Sequence, residues 1–325
     1  MWKIETAECS PAVFFVLYQI FGEQELSGVA NTRIVFRNST AAIPLKIFTT
    51  NWITMTISTA RIGFIGGGQM AEAMVRGILA AGLVTKERLM IAEPNAARCE
   101  YLHDQYGSCC TQSAETLSQA CNILVVAVKP QLAEQVLSQY RPFVTAGHLV
   151  VSIMAGVPLQ VLAGYFAEPV RLIRVMPNTP ALVLAGASAF SPNHLATTED
   201  RLIATALFSA VGTCVEVPEN QLDAVTGLSG SGPGYVFTFI EAMIDGGVLV
   251  GLPRPVAEQL VLQTVYGSAK LALETGEPPA VLKGKVTSPG GSTITGLQVL
   301  EEGAFRGVIM GAIEAATQRS KELGT

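Results

Sequence analysis

A short apolar run, RIGFI at residues 61–65, passes straight into Gly66, Gly67, Gly68, Gln69, Met70 and Ala71, and then into a helical stretch. A strand that breaks at glycine and restarts as a helix opens a βαβ unit. Each position of this G-x-G-x-x-A spacing has a physical use. Gly66 permits the tight turn, Gly68 lets the backbone approach a pyrophosphate, and Ala71 lets the helix pack on the strand. The helix N-terminus then offers its free N–H groups to phosphates. An ordinary glycine turn would share the letters, but this one has the required context, because the alternation continues. Short β-rich runs follow at residues 88–92 (RLMIA), 122–128 (NILVVAV), 148–154 (HLVVSIM) and 170–175 (VRLIRV), with helical stretches between them. Such runs predict a parallel sheet covered on both faces.

The sheet region extends through residues 187–190 and 214–217, and no strand is predicted after Asp223. From there GSGPG (230–234), GLP (251–253), TGEPP (275–279) and SPGGS (288–292) punctuate helices, with Pro233 and Pro253 placed where first turns begin. The expected fold class is α/β: an N-terminal Rossmann-type dinucleotide-binding domain over residues 57–222, then an all-α C-terminal domain over residues 223–325. Residues 1–56 form an extension of different character. Its segment PAVFFVLYQIF (11–21) is too short to span a bilayer, and Glu5 and Glu8 sit where a secretory signal would carry positive charge. It reads as a loosely docked or disordered tail, or as residues ahead of a true start at Met55, since MTISTARIGFIGGG opens the domain at once.

Composition narrows the partners. Of the 325 residues, 49% are hydrophobic and only 14% charged, so apolar surface must be covered by a membrane or by another subunit. The most apolar window, residues 234–252, carries Glu241 and Asp245 one helical turn apart, which excludes a span and predicts a buried helix at a dimer interface. The net charge of −5, without a Lys or Arg cluster, leaves nucleic acid no electrostatic footprint. Six cysteines without CxxC spacing and three histidines give no metal signature, and Cys109 and Cys110 read as strand residues. Reduced cysteines predict a cytoplasmic protein.

Candidate site residues gather where strands end. Glu93, after the second strand, is placed to hydrogen-bond an adenosine 2′-hydroxyl and to repel a 2′-phosphate; Arg98 lies five residues on, and a solvated loop acid remains the plain alternative. Ala127, Val128, Lys129 and Pro130 follow one strand, and Met154, Ala155 and Gly156 follow the next. Asn178, in MPNTP, either meets a ligand or makes a turn. In the helical domain Gly291, Ser292 and Thr293 stand at a Gly-Gly helix start, where backbone N–H groups and a hydroxyl suit a carboxylate; ordinary N-capping is the rival reading. A Ser-His-Asp set, paired carboxylates and a metal cluster are all lacking. Hydride transfer to an activated C=N bond needs none of these, only two held reactants and one donor near the nitrogen.

Taken in order, GFIGGGQMA, AVKP, VVSIMAGV, RVMPNTPAL, DAVTGLSGSGPGYVF and VTSPGGSTITGL resemble pyrroline-5-carboxylate reductase over about residues 60–323. The resemblance implies NADPH- or NADH-dependent reduction of 1-pyrroline-5-carboxylate to L-proline, the last step of proline biosynthesis. It implies that the helical domain is the dimerisation domain of an intertwined homodimer, built up further to a decamer. It carries cofactor contacts to Ile65, Gly66, Gly67, Gly68, Gln69, Met70, Glu93, Ser113, Ala127, Val128, Lys129, Pro130, Met154, Ala155 and Gly156. Substrate contacts fall on Ser292 and Thr293, and Thr293 matches the threonine that donates to the ring nitrogen. Ser113 stands where many members have Asn, which weakens a cofactor contact, and Gly234 replaces Ala, which loosens a helix start. A hydroxy-acid dehydrogenase would want a catalytic Lys or His in the helical domain, yet Lys270 sits in plain helix. A non-catalytic dinucleotide sensor would have no need of the SPGGST loop.

Overall fold

The computed structural model describes residues 59–324, together with Ile57 and two two-residue strands, Arg33–Ile34 and Ile43–Pro44, which pair antiparallel. Apart from those strands, the readings of residues 1–56 lie outside the described residues. The chain divides into two compact units, the second covering Asp223–Glu322.

The first unit is built on an eight-stranded sheet. Its strands are β1 (Ile62–Ile65), β2 (Leu89–Ala92), β3 (Cys109–Thr111), β4 (Ile123–Val126), β5 (Leu149–Ser152), β6 (Arg171–Met176), β7 (Gly186–Pro192) and β8 (Gly212–Glu216), ordered 3-2-1-4-5-6-7-8. The residues at successive positions enter different cores. Ile62, Phe64, Ile123, Val125, Leu149 and Val151 join one cluster, with α1 (Gln69–Ala80) and α6 (Thr198–Ser209). Ile65, Leu124, Val126, Val150 and Leu172 join the other, with α3 (Ala114–Ala120), α4 (Ala133–Tyr140) and α5 (Leu159–Gly164). Because both faces are covered, the strands read as unbroken apolar runs and not as alternating ones.

The expected all-parallel sheet needs one correction: β6 and β7 are antiparallel. Only residues 177–185 join them, as a tight turn around the 3-10 helix Thr179–Val183. A parallel return requires a crossover of about a dozen residues or more, so the chain doubles back instead. The helix α6 then supplies the crossover from β7 to β8, and that pair is parallel.

The second unit holds α7 (Leu222–Val225, which begins at the boundary), a π-helical turn at Thr226–Gly230, and α8 (Gly232–Leu249), α9 (Arg254–Thr275), α10 (Pro279–Lys285), α11 (Ser292–Glu302) and α12 (Phe305–Leu323). Among its described residues, the only buried hydrophobic side chains are Ala257 and Val261. Leu249 and Leu273 are 86% and 83% exposed, and Phe237, Val308 and Met310 are exposed as well. These helices are apolar without a core of their own. Among the described residues, no helix is long and apolar enough to cross a membrane.

Helix α6 starts with a capping box that doubles as an ion pair. Asp200 is fully buried; one oxygen accepts from the Thr197 N–H and hydroxyl at 2.8 Å each, and the other accepts from Arg171 at 2.7 Å. Asp200→Ala removes the reciprocal half of the capping box, leaving the Thr197 cap, and strands part of the Arg171 charge, which we expect to cost about 2 kcal/mol. Urea unfolding measures it, and an unchanged midpoint contradicts the assignment.

Candidate active site

Strand order reverses direction between β1 and β4, and ligands bind at such a switch point, beyond the carboxyl ends of the strands. The structure has a cleft of about 520 Å³ there. Ile65, Gly66, Gly67 and Gly68 line it from β1, Glu93 from β2, and Ala127, Val128 and Lys129 from β4. The chain turns away from β1 at Gly66, whose N–H donates to the Ala92 carbonyl at 2.8 Å. Gly66 adopts φ +100°, and a Cβ there would lie 2.9 Å from the Ala127 oxygen. Both facts require glycine. Gly68 is the N-cap of α1, with open space where its Cβ would be. Gln69 and Met70 open the helix, and the first intrahelical bond runs from Glu72 N–H to Gly68 O. The N–H groups of that first turn are therefore available to an anion, and nothing projects from Gly68 to obstruct it. This cradle fits a dinucleotide pyrophosphate.

Glu93 is held in place rather than left to solvent. One carboxylate oxygen accepts from Gly67 N–H at 2.9 Å and the other from Asn95 N–H at 3.0 Å. Each oxygen keeps a second lone pair, so the fixed carboxylate can still receive ribose hydroxyls. Arg98 is engaged elsewhere: its Nε donates to the Gly67 carbonyl at 2.7 Å and its guanidinium pairs with Glu72 at 2.5 Å.

Other predicted residues fall outside the cleft lining. Pro130 starts a 3-10 turn after Lys129. Ser113 accepts from Thr116 N–H at 3.1 Å and caps α3, while its neighbour Gln112 lines the cleft. Met154 is buried beyond β5, Ala155 is exposed, and Gly156 turns the chain at φ +74°. Asn178 is 9% exposed, and its side-chain oxygen accepts from Ala187 N–H at 2.8 Å, joining the two arms of the β6–β7 connection. In the second unit, Gly291 is the N-cap of α11, and a Cβ on it would lie 2.3 Å from the Ser288 hydroxyl. No side chain caps this helix. Ser292 and Thr293 occupy its first turn and are exposed, so the capping alternative does not describe them. Sequence reasoning missed Glu72, Tyr101 and Tyr106, which meet Arg98 around one carboxylate. The available signal was the three-residue spacing of Arg98 and Tyr101 on α2 (Ala96–Tyr106), which puts them on one helix face.

Residues 219–323 match the model described as pyrroline-5-carboxylate reductase dimerisation, and residues 61–156 match that described as NADP oxidoreductase coenzyme F420-dependent. A pyrroline-5-carboxylate reductase from Synechocystis is 47% identical over 269 residues, 81% of this chain and 98% of that protein. This chain belongs to the pyrroline-5-carboxylate reductase family. A Methanosarcina acetivorans reductase of the same name is 46% identical, again over 81% of this chain and 98% of its own length. Among solved structures, the Coxiella burnetii pyrroline-5-carboxylate reductase superposes with a TM-score of 0.78 at 34% identity, covering 82% of this chain and all but 1% of that one. The Plasmodium falciparum pyrroline carboxylate reductase, solved with NADP bound, gives 0.74 at 35% identity and covers 83% of this chain and 100% of that one. The family fold is thus an N-terminal Rossmann-type domain with a helical dimerisation domain, and the family cofactor is NAD(P)H.

Gly66→Ala introduces both the clash with Ala127 and a strained φ. We expect dinucleotide affinity to fall about tenfold or more, the equivalent of 1–3 kcal/mol of strain. Titration with NADH followed by fluorescence checks this, and wild-type affinity contradicts it.

Proposed function

We propose that this chain reduces 1-pyrroline-5-carboxylate to L-proline with a hydride from NADH or NADPH, closing proline biosynthesis. The observation that carries the proposal is the likeness to named pyrroline-5-carboxylate reductases over 98% of their length. A cofactor-dependent, proline-forming oxidation of NADH or NADPH in the presence of pyrroline-5-carboxylate tests it directly, and the absence of proline overturns it.

The roles follow from the chemistry of each position. Bound in the β1–α1 cradle, the nicotinamide dinucleotide supplies the hydride. Gly66 and Gly67 shape the turn, Gly68, Gln69 and Met70 offer backbone N–H groups to its pyrophosphate, and Glu93 takes the adenosine ribose. Ala127, Val128 and Lys129 line the site, while Pro130, past β4, and Met154, Ala155 and Gly156, past β5, lie outside the cleft lining. The N–H groups at the start of α11, behind Gly291, bind the substrate carboxylate with the help of Ser292. As hydride adds to the carbon of the C=N bond, the π electrons move to nitrogen, which takes up one proton from water to become the ring N–H, and the Thr293 hydroxyl donates a hydrogen bond to that nitrogen. Ser113 and Asn178 have structural bonds that account for their positions, and we give them no further part in the reaction.

The working form we propose is a homodimer, with a decamer as the larger assembly, in the cytoplasm. The exposed apolar side chains of α8, α9 and α12 support a partner surface, and the five described cysteines are free thiols, which suits a reducing compartment.

Two substitutions test the site. Thr293→Ala removes a donor used mainly in the transition state, so kcat falls about ten- to thousandfold while cofactor binding holds. Because no side chain caps α11, melting temperature stays near that of the wild type. Near-normal kcat overturns the catalytic role. For the cofactor, a carboxylate at Glu93 makes NADH at least as good as NADPH, and Glu93→Ser shifts preference toward NADPH. A wild type that strongly prefers NADPH contradicts this.

A further inference from the structure

Glu72 lies in the first turn of α1, one residue beyond the fingerprint, and has no part in the chemistry above. Three donors from α2 converge on its carboxylate. Arg98 stands 2.5 Å from one oxygen, and the hydroxyls of Tyr101 and Tyr106 each donate to the other at 2.9 Å. Arg98 also lies 5.0 Å over the Tyr101 ring and donates through Nε to the Gly67 carbonyl. Its guanidinium is therefore fixed on three sides. Burial works against a charge on Glu72, but hydrogen bonds from Arg98, Tyr106 and Tyr101 outweigh it and hold the carboxyl below the usual range. The pair stays ionised at neutral pH.

The consequence falls on the adenosine end of the cleft. Glu93 lines that cleft; Arg98, five residues further along, does not. A guanidinium free to turn toward the ribose would pair with a 2′-phosphate through parallel N–H bonds. We propose that Glu72 is a positioning residue that determines cofactor specificity: by holding Arg98 against the Gly67 carbonyl, it withholds the guanidinium from a 2′-phosphate and leaves Glu93 to meet a free 2′-hydroxyl. The inference rests on the assignment of the adenosine ribose to Glu93. It accounts for a network that the glycine fingerprint does not need. The turn at Gly66 is already set by its bond to Ala92 and by the approach of Ala127.

Calorimetric titration of the full chain with NAD⁺ and NADP⁺ separates the roles without depending on turnover. The variants are E72A, E72Q, the double variant E72A/R98A, and E93S. E72Q keeps the side-chain volume and an acceptor oxygen, so it carries the comparison if E72A fails to fold. Freeing one charge-assisted pair predicts that E72A raises NADP⁺ affinity relative to NAD⁺ about tenfold, and E72Q, whose amide oxygen still accepts from Arg98 without the charge, moves the ratio the same way by less. Removing Arg98 as well returns the ratio to the wild-type value. If Glu72 only braces α1 against α2, both cofactors weaken together and the ratio holds, which overturns the proposal. An E93S variant that shifts the ratio beside E72 variants that do not sinks the role of Glu72 alone. An E93S variant that leaves the ratio unmoved sinks the ribose assignment, and this proposal with it.

Discussion

At the end of β1 the chain must pass between two neighbouring strands, and only a residue without a side chain fits. Gly66 bonds to the end of β2 through Ala92, while a Cβ on it would lie 2.9 Å from the Ala127 carbonyl oxygen just past β4. That single close approach sets the direction in which α1 leaves the sheet. It also sets where the first-turn N–H groups point and how wide the cleft opens. The sheet supplies the rigidity for this geometry, because its central strands are buried on both faces by separate apolar clusters. A side chain introduced at Gly66 therefore has nowhere to go, since close-packed interiors resist displacement.

Around that turn the polar groups form one connected chain. Glu93 accepts from Gly67 N–H, Gly67 O accepts from Arg98, and Arg98 pairs with Glu72, which also receives Tyr101 and Tyr106. Both the N–H and the C=O of Gly67 are thus held by side chains from the β2–α2 segment. The glycine turn and the Glu93 carboxylate are built as one object, so a charge change at one position is felt at the other. Partly buried networks of this kind fix geometry more than they add stability.

The architecture was legible where local chemistry and long-range packing agree. The βαβ series, the glycine turn and the loss of strands after Asp223 all follow from residue period and turn residues, and the family resemblance follows from the ordered motifs. The antiparallel β7 was not legible, because a nine-residue connection reveals its consequence only once both strands are placed side by side. The Glu72 network was hidden for a different reason. Glu72 sits 26 to 34 residues before its three partners and on another helix, so the spacing of Arg98 and Tyr101 on their own helix does not point to it. Asn178 allowed a ligand contact or a turn from its place in MPNTP, and its side-chain oxygen accepts from Ala187 N–H across the turn. At α11 the letters Gly, Ser and Thr allowed two readings. Only the backbone assigns the N-cap to Gly291 and leaves the hydroxyl residues inside the first turn.

The second unit lacks an apolar core within its own chain, and its match to a dimerisation domain gives those exposed side chains a physical destination. The first unit holds the glycine turn and switch-point cleft, and the second holds the helix start at Gly291 that we propose takes the substrate carboxylate. The central claim is that they serve one hydride transfer to a cyclic imine. Reaction of 1-pyrroline-5-carboxylate with nicotinamide cofactor deuterated at its transferable position tests that claim most directly. One deuterium per cofactor oxidised, carried by proline on the ring carbon beside nitrogen and away from the carboxylate, is the predicted result. Cofactor oxidised without labelled proline would contradict it.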